Sequence, residues 1–336
     1  MNWLKEKGPG IVLVLIIAVA ASFLGKLFPI IGGAVFGIVI GLIINNTIGK
    51  PDISVPGITF TSKKILQWAI IVLGAGLSLK QVWKTGLDSF SVMIFTLTAA
   101  FLSAYILGRA MKVEGNIRNL IGVGTAICGG SAIAAISPII EADEMEIAYS
   151  ISTIFLFNII AVLIFPPLGH LLGFSDKAFG LWAGTAINDT SSVVAAGYAF
   201  SNAAGAYATI VKLTRTTMII PISIVFSIIT AIKKKKQMNE SEANVNYNFS
   251  KIFPWFILWF LVASLLNTMG LFSENVVTIF NSLAKFMIVM ALSAVGLSAD
   301  FKKMLKTGVK PIFLGLFVWF IVAIVSIIVQ YATGQI

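Results

Sequence analysis

Long apolar runs recur along the whole chain and constrain its fold more than any other feature. The protein has 336 residues, of which 58% are hydrophobic and 11% are charged, whereas about 25% of the residues in a soluble domain are charged. A membrane span needs roughly 20 mostly apolar residues, and its backbone groups must be hydrogen-bonded internally. The sequence therefore predicts an all-α, polytopic membrane protein. The eleven predicted spans cover residues 9–26, 29–46, 64–80, 89–109, 117–139, 146–169, 178–201, 206–232, 252–271, 277–298 and 310–332.

Lysine and arginine residues are concentrated in alternate loops between these spans. If the N-terminus is cytoplasmic, eighteen of the 24 fall on the cytoplasmic side. They are Lys5, Lys7, Lys50, Lys63, Lys64, Arg109, Lys112, Arg118, Lys177, Lys233 to Lys236, Lys251, Lys302, Lys303, Lys306 and Lys310. The positive-inside rule then predicts a cytoplasmic N-terminus and an external C-terminus. The basic residues behind the net charge of +10 are spread through many loops, as the topology bias predicts. This distribution argues against a nucleic-acid partner.

Two polar segments interrupt the apolar pattern of what is otherwise one membrane domain covering residues 1–336. Residues 233–250 are basic and polar without an apolar period, which predicts a flexible cytoplasmic loop. Glu141, Asp143, Glu144 and Glu146 form a predicted external acidic loop. One Cys and one His exclude an intrachain disulfide and are too few for an ordinary zinc site, so we expect no structural metal and no cofactor.

Two internal echoes point to a transporter. GTAICGGS begins at Gly124 in span five and GTAINDTSS begins at Gly184 in span seven. Both spans start on the cytoplasmic side in the predicted topology, so these motifs are expected to run parallel. AGLSLKQVWKTG (75–86) and VGLSADFKKMLKTG (295–308) instead end spans three and ten on opposite sides. Similar sequences in opposite orientation are typical of the inverted repeats of secondary transporters.

The polar centres of spans five and seven predict discontinuous helices. In span five, Thr125 is followed by Cys128, Gly129, Gly130 and Ser131, and glycine pairs weaken a helix. A break is tolerated where the freed backbone groups face protein, water or substrate, and the half-helix that starts after it attracts anions. The alternative is close helix packing through small residues.

Span seven favours the break. It carries Asn188, Asp189, Thr190, Ser191 and Ser192 in succession at mid-membrane. Asp189 is an acidic residue deep inside a span, where a charge is costly and is by default a functional hypothesis. It is expected to bind Na⁺ or H⁺ as the coupling ion, or else to pair with a nearby cation.

Three cations inside spans predict a negatively charged substrate. Lys212 and Arg215 share a face of span eight, and Lys285 lies in span ten. Arg215 is suited to grip an oxyanion with two parallel hydrogen bonds. The alternative for each of the three is that its charge extends to the headgroup region. The predicted substrate site comprises Thr125, Cys128, Gly129, Gly130, Ser131, Asn188, Thr190, Ser191, Arg215 and Lys285, with Asp189 for the coupling ion.

The motifs GTAICGGSAIAAISPII, GTAINDTSSVVAAGY and VKLTRTTMIIP together resemble the YeiH-like family of bacterial inner-membrane proteins, commonly labelled sulfate exporters. The resemblance covers essentially the whole chain and extends to the bile-acid:sodium symporter and cation–proton antiporter superfamily. It implies two discontinuous helices that cross near the membrane centre, a core domain that moves against a scaffold domain, and a homodimer as one assembly to test. The implied cargo is sulfate, sulfite or a sulfonate, moved outward across the cytoplasmic membrane.

Two transport hypotheses follow. The first is alternating-access transport of a small anion. The second keeps the fold but uses Asp189 for Na⁺/H⁺ exchange or for Na⁺-coupled transport of an organic anion. An intramembrane enzyme is not expected, because the chain lacks a His-Glu zinc motif and a G-x-S-x-G turn around Ser131.

Overall fold

The computed structural model describes residues 2–28, 32–237, 255–300 and 308–336. These residues form helices and short connections, with no strand among them. The first helices are α1 (Asn2–Leu27), α2 (Gly32–Thr47), α3 (Val55–Phe60), α4 (Leu66–Gly74), α5 (Leu79–Ala110), α6 (Gly115–Ala126), α7 (Gly130–Ile136) and α8 (Glu144–Leu171). They are followed by α9 (Asp176–Ala186), α10 (Thr190–Phe200), α11 (Asn202–Thr217), α12 (Ile219–Gln237), α13 (Trp255–Thr268), α14 (Glu274–Ser298) and α15 (Val309–Ala332).

Several of these helices are long and apolar enough to cross a membrane. Six segments meet that description by length and composition, and α2 and α13 add shorter apolar helices. The six are Trp3–Leu27, Leu79–Ala110, Met145–Leu171, Asn202–Thr230, Glu274–Ser298 and Val309–Ala332. Large side chains such as Ile16 and Phe95 are more than half exposed on their outer faces, as expected where lipid replaces water. The chain is a helical membrane protein with many spans.

The helices pack in two groups. In one group α14 lies along α2, α1 and α4, and α13 packs on α4. In the other group α5 packs along α15 and α6, while α11 lies between α9 and α10. Two backbones of the second group approach closely at Gly197, where a Cβ atom would lie 2.8 Å from the Cα of Gly205. Small residues at such contacts let membrane helices approach closely.

The antiparallel pair α5 and α15 defines two ends of the second group. Gln335, just beyond α15, donates a hydrogen bond from Nε2 to the carbonyl oxygen of Asp88 near the start of α5 (3.1 Å). We call this the Asp88 end. At the other end, Arg118 of α6 packs on Gly108 and Tyr105 in the last turns of α5, and we call this the Arg118 end.

Helices α6 and α7 form a hairpin that begins and ends at the Arg118 end. Asn116 at the start of α6 donates to Glu146 at the start of α8 (Nδ2 to Oε2, 3.0 Å). Glu146 is held there by a capping box, in which Asp143 accepts from its backbone N–H (2.7 Å). Ile133 of α7 folds back on Gly124 of α6. Residues 115–143 therefore enter the bundle and return, and we call them the first hairpin.

Helices α9 and α10 form a second hairpin that begins and ends at the Asp88 end. Ser201, the N-cap of α11, donates to Asp176 in the first turn of α9 (Oγ to Oδ1, 2.5 Å). The rings of Phe179 and Phe200 stack with centroids 4.0 Å apart, and Lys177 pairs with Asp88 (3.2 Å). The second hairpin, residues 176–200, therefore enters from the end opposite to the first.

These two hairpins correct the predicted topology. Residues 117–139 and 178–201 do not run from one end of the bundle to the other, because each segment returns to where it started. The prediction also separated Lys177 from Asp88 and Glu146 from Asn116, yet both pairs are in contact. As a result, the two GTAI motifs do not run parallel but approach each other from opposite ends.

Some predictions fall partly outside the described residues. Helix α12 continues to Gln237, so the first residues of the predicted loop 233–250 are helical, and the rest of that loop is not described. Lys251, Lys302, Lys303 and Lys306 also lie outside the described ranges, as does part of the second echo at 295–308.

Candidate functional site

The two hairpins meet tip to tip in the middle of the bundle. The first tip is residues 127–129, between α6 and α7, and the second is residues 187–189, between α9 and α10. A Cβ atom on Gly129 would lie 3.3 Å from the Cβ and 3.4 Å from the Cα of Asp189. Gly129 has a positive φ of 69°, a conformation that glycine adopts without strain. The glycine therefore both turns the first tip and lets the second tip approach.

Asp189 closes the second tip as the N-cap of α10. Its carboxylate accepts from the backbone N–H of Ser192 (3.2 Å) and from the hydroxyls of Ser191 and Ser192. Its own backbone N–H donates to Oδ1 of Asn158 on α8 (3.1 Å). A carboxylate at a helix N-terminus is favoured by the free N–H groups and by the helix dipole. The polar sequence NDTSS thus ends one half-helix and begins the next.

Lys212 of α11 joins the two tips directly. Its side chain is 0% exposed, and its ammonium donates to the carbonyl oxygens of Ile127 and Ile187, each at 2.9 Å. These two residues occupy the same place in the two GTAI motifs. Both carbonyls lie just past the C-terminal ends of half-helices, where the backbone carries partial negative charge.

Arg215 repeats this arrangement one turn further along α11. It is also 0% exposed and donates to the carbonyls of Thr125 (2.7 Å), Ala126 and Thr185. Thr125 and Thr185 again occupy equivalent places in the two motifs. Three of its five N–H groups are therefore bonded to the ends of α6 and α9.

These contacts correct the predicted role of the cations in α11. Neither Lys212 nor Arg215 extends toward headgroups, because both are fully buried. Arg215 does not present a free guanidinium to a substrate, because its Nε and both terminal nitrogens already bond to backbone carbonyls. Both side chains instead donate to the carbonyl groups at the ends of α6 and α9.

The remaining residues of the predicted site fall into two sets at the tips. Ser131 is exposed, Gly130 and Asp189 are partly exposed, and a Cβ atom on Gly130 would meet nothing within 4 Å. Thr125, Cys128, Asn188, Thr190 and Ser191 are buried around them. The structure therefore brings these eight predicted residues and Gly129 together, with an opening beside Gly130 and Ser131.

Lys285 is not part of this site. It is exposed on α14 and lines a separate groove of about 150 Å³ with Tyr198, Asn202 and Gly33. The groove lies by the far end of α10 and includes no residue of either tip. Its role as a substrate ligand stays a prediction, and the structure places the side chain away from both tips.

Sequence reasoning missed a polar contact behind the second tip. The hydroxyls of Thr185 and Ser326 lie 2.7 Å apart, and Gln330 donates to Ser326 (3.2 Å). Ser326 and Gln330 are both buried on α15. Their spacing of four residues on one face of an apolar helix was the available signal.

The comparisons place the chain in a family. Residues 9–315 match the model of the family described as conserved hypothetical protein 698. The chain is 44% identical to a UPF0324 membrane protein of Clostridium tetani over 100% of both chains. It is 46% identical to one of Streptococcus agalactiae serotype V over 98% of both. It is 44% identical to one of Fusobacterium nucleatum, over 98% of this chain and 99% of that one. The chain therefore belongs to the UPF0324 family of membrane proteins.

Proposed function

We propose that the protein is a secondary transporter that moves a small anion across the bacterial cytoplasmic membrane by alternating access. The observation that carries the proposal is the meeting of two broken helical segments from opposite ends, with two fully buried cations beneath them. Non-helical backbone at membrane depth is tolerated where it lines a cavity or is buried in protein. In transporters, such breaks mark the substrate site.

The charges at the tips favour an anion. At the tips, two basic side chains, Lys212 and Arg215, lie beside one acidic side chain, Asp189, and this excess of basic groups suits an anion. We propose that a substrate reaches these groups beside Ser131, which is exposed. The resemblance to the YeiH-like sulfate exporters supports sulfate, sulfite or a sulfonate as cargo and export as the direction. The paired hairpins differ from the crossed helices that the wider superfamily implies. The proposal that the chain belongs to that superfamily therefore rests on the sequence motifs alone.

The proposed topology follows from the hairpins. Of the eleven predicted segments, two return to the end where they start, so we propose that the other nine cross the membrane. Because nine is an odd number, the two termini lie on opposite sides of the membrane. The positive-inside rule then places the N-terminus in the cytoplasm and the C-terminus outside. Lys177 then lies outside and the acidic residues 141–146 lie inside. The GTAI tetrapeptide leads into both opposed tips, which supports an inverted repeat. The oligomeric state is a separate question, and a homodimer is the assembly to test.

The second candidate function is exchange of Na⁺ and H⁺, or Na⁺-coupled transport of an organic anion, at Asp189. The observation that favours it is the partly exposed carboxylate, which is surrounded by oxygen-bearing side chains of Ser191 and Ser192. A carboxylate with hydroxyl neighbours suits a hard cation. In the leading proposal, the same residue binds the coupling ion. We propose no catalytic role for Cys128 and no nucleic-acid partner.

The test is uptake of labelled sulfate, sulfite, a sulfonate and a small carboxylate into proteoliposomes, with and without imposed Na⁺ and pH gradients. Saturable uptake of one anion is the expected result, and its dependence on a gradient identifies the coupling ion. A pH change that is driven by Na⁺ in the absence of anion transport would establish the second candidate instead. If neither signal appears, both transport proposals fail.

A further inference from the structure

Asn188 holds two buried polar atoms without partners at the centre of the second tip. Its side chain is 0% exposed, and neither Oδ1 nor Nδ2 makes a hydrogen bond with the described residues. The hydroxyl of Thr125, beneath the first tip, is also buried and unpartnered. Buried polar groups in proteins are almost always hydrogen-bonded, and an exception needs an explanation, such as a bound water, ion or ligand.

The chemistry of the amide restricts that species. Oδ1 only accepts a hydrogen bond, and Nδ2 only donates. A fully deprotonated oxyanion would satisfy Nδ2 but leave Oδ1 unpaired. A bare metal ion would satisfy Oδ1 but leave Nδ2 unpaired. The species that satisfies both atoms has an acceptor oxygen and an O–H group.

The charge of the surroundings restricts it further. Lys212 bonds to the carbonyl of Ile187, which is the neighbour of Asn188, and Arg215 bonds to the carbonyl of Thr125 itself. Asp189 follows Asn188 directly, and its carboxylate accepts a hydrogen bond from the backbone N–H of Ser192 in the first turn of α10. With two cations and one carboxylate, a single negative charge on the ligand balances the site.

We propose that the substrate is a monovalent oxyanion that keeps one O–H group, which Asn188 recognises by accepting from the O–H and donating to an oxygen of the ligand. This rests on the proposed function and narrows its substrate class. Among the anions considered above, sulfite qualifies in its protonated form, hydrogen sulfite. Sulfate and alkyl sulfonates do not, because they lack the proton.

A matched pair of anions tests the proposal on the purified, intact protein. The methylphosphonate monoanion and methanesulfonate have the same charge and nearly the same shape, but only the first has an O–H group. We expect calorimetric titration at mildly acidic pH to show at least tenfold tighter binding of methylphosphonate, which corresponds to about 1.4 kcal/mol. Equal binding of the two anions, or tighter binding of methanesulfonate, overturns the proposal and leaves anion transport standing.

Two variants assign the preference to the amide. Asn188→Leu removes both polar atoms at similar volume, so the ratio of the two affinities should fall to about one. Thr153→Val is the control, because the hydroxyl of Thr153 is also buried and unpartnered but its methyl group packs on Gly315. That variant should keep the wild-type ratio. A preference that survives Asn188→Leu does not come from the amide, and it overturns the proposal.

If Asn188→Leu does not fold, the comparison of the two anions on the wild-type protein still tests the proposal. Binding of neither anion, together with no transport of any anion in the panel, overturns both the substrate class and the proposed function. This outcome is distinct from the loss of discrimination alone.

Discussion

The carbonyl oxygens of Ile127 and Ile187, which occupy the same place in two GTAI motifs sixty residues apart, accept hydrogen bonds from one ammonium group, that of Lys212. Two hairpins that enter from opposite ends of the bundle are thus joined at equivalent atoms. The joint is fully buried, and the positive charge faces the negative ends of two half-helices. Lys212 is therefore expected to hold the site together.

Lys212→Met should destabilise the folded protein. The substitution leaves two buried carbonyls without donors, and each unpaired group costs about 1–3 kcal/mol. We expect a clear drop in the midpoint of thermal unfolding in detergent. Lys80→Met is the control, since Lys80 is exposed at the start of α5 and its loss should leave the midpoint in place. If the two variants have equal midpoints, Lys212 does not hold the tips together.

Gly129→Ala should disrupt the contact between the tips. The backbone φ of 69° is strained for alanine, and the new Cβ would press on Asp189 at 3.3 Å; strained conformations of this kind cost about 1–3 kcal/mol. We expect a lower unfolding midpoint and loss of transport. Gly130→Ala adds the same methyl group one residue later, where nothing lies within 4 Å. A stable Gly129→Ala protein together with an unstable Gly130→Ala protein would contradict the structure.

Asp189→Asn should leave the stability of the fold nearly unchanged but remove the coupling of transport to an ion gradient. Asparagine is about as good an N-cap as aspartate, so the unfolding midpoint should change little. Removal of the negative charge should abolish the dependence of transport on the Na⁺ or pH gradient. Asp88→Asn serves as the control, because it removes only a surface ion pair with Lys177, and such pairs contribute little. Gradient dependence that persists in Asp189→Asn would exclude Asp189 as the coupling site.

Lys285→Met should leave anion transport unchanged. The side chain is exposed in a groove that contains no residue of either tip. Initial rates of uptake at several substrate concentrations measure the effect on both the maximal rate and KM. A large increase in KM would place Lys285 on the substrate pathway, as the sequence had suggested.

Labelling of single cysteines should reveal the re-entrant hairpins. In a Cys128→Ala background, cysteines at Lys84 and Lys177 should react with a membrane-impermeant maleimide from the same side, because Lys177 pairs with Asp88. A cysteine at Lys112, just beyond the opposite end of α5, should react only from the other side. Reaction of the cysteines at Lys84 and Lys177 from different sides would restore the eleven-span topology.

The sequence predicted the breaks but not the path of the chain on either side of them. Gly129 and the run from Asn188 to Ser192 marked both tips because polar and flexible residues are costly in lipid. The return of each segment was not predictable from hydropathy, since a hairpin of two short apolar helices has the composition of one span. The capping box at Asp143 and Glu146 marks the start of α8, but only the contact between Glu146 and Asn116 shows that this start lies beside the start of α6.

The cations show a similar limit. The three-residue spacing of Lys212 and Arg215 placed them on one helical face, and in the structure both donate to the ends of α6 and α9. Their partners could not be predicted, because backbone carbonyls become acceptors only where another helix ends. Nothing in the sequence records where α6 and α9 end relative to α11.

The bonds from α11 have a mechanical consequence. Lys212 and Arg215 connect one rigid helix to the ends of α6 and α9 through five hydrogen bonds. Sliding one tip past the other would break several of these bonds at once in a dry environment. Any displacement that exposes the site to one side and then to the other must therefore carry both tips and α11 as one body, and the adjustment must occur at the packing surfaces around them.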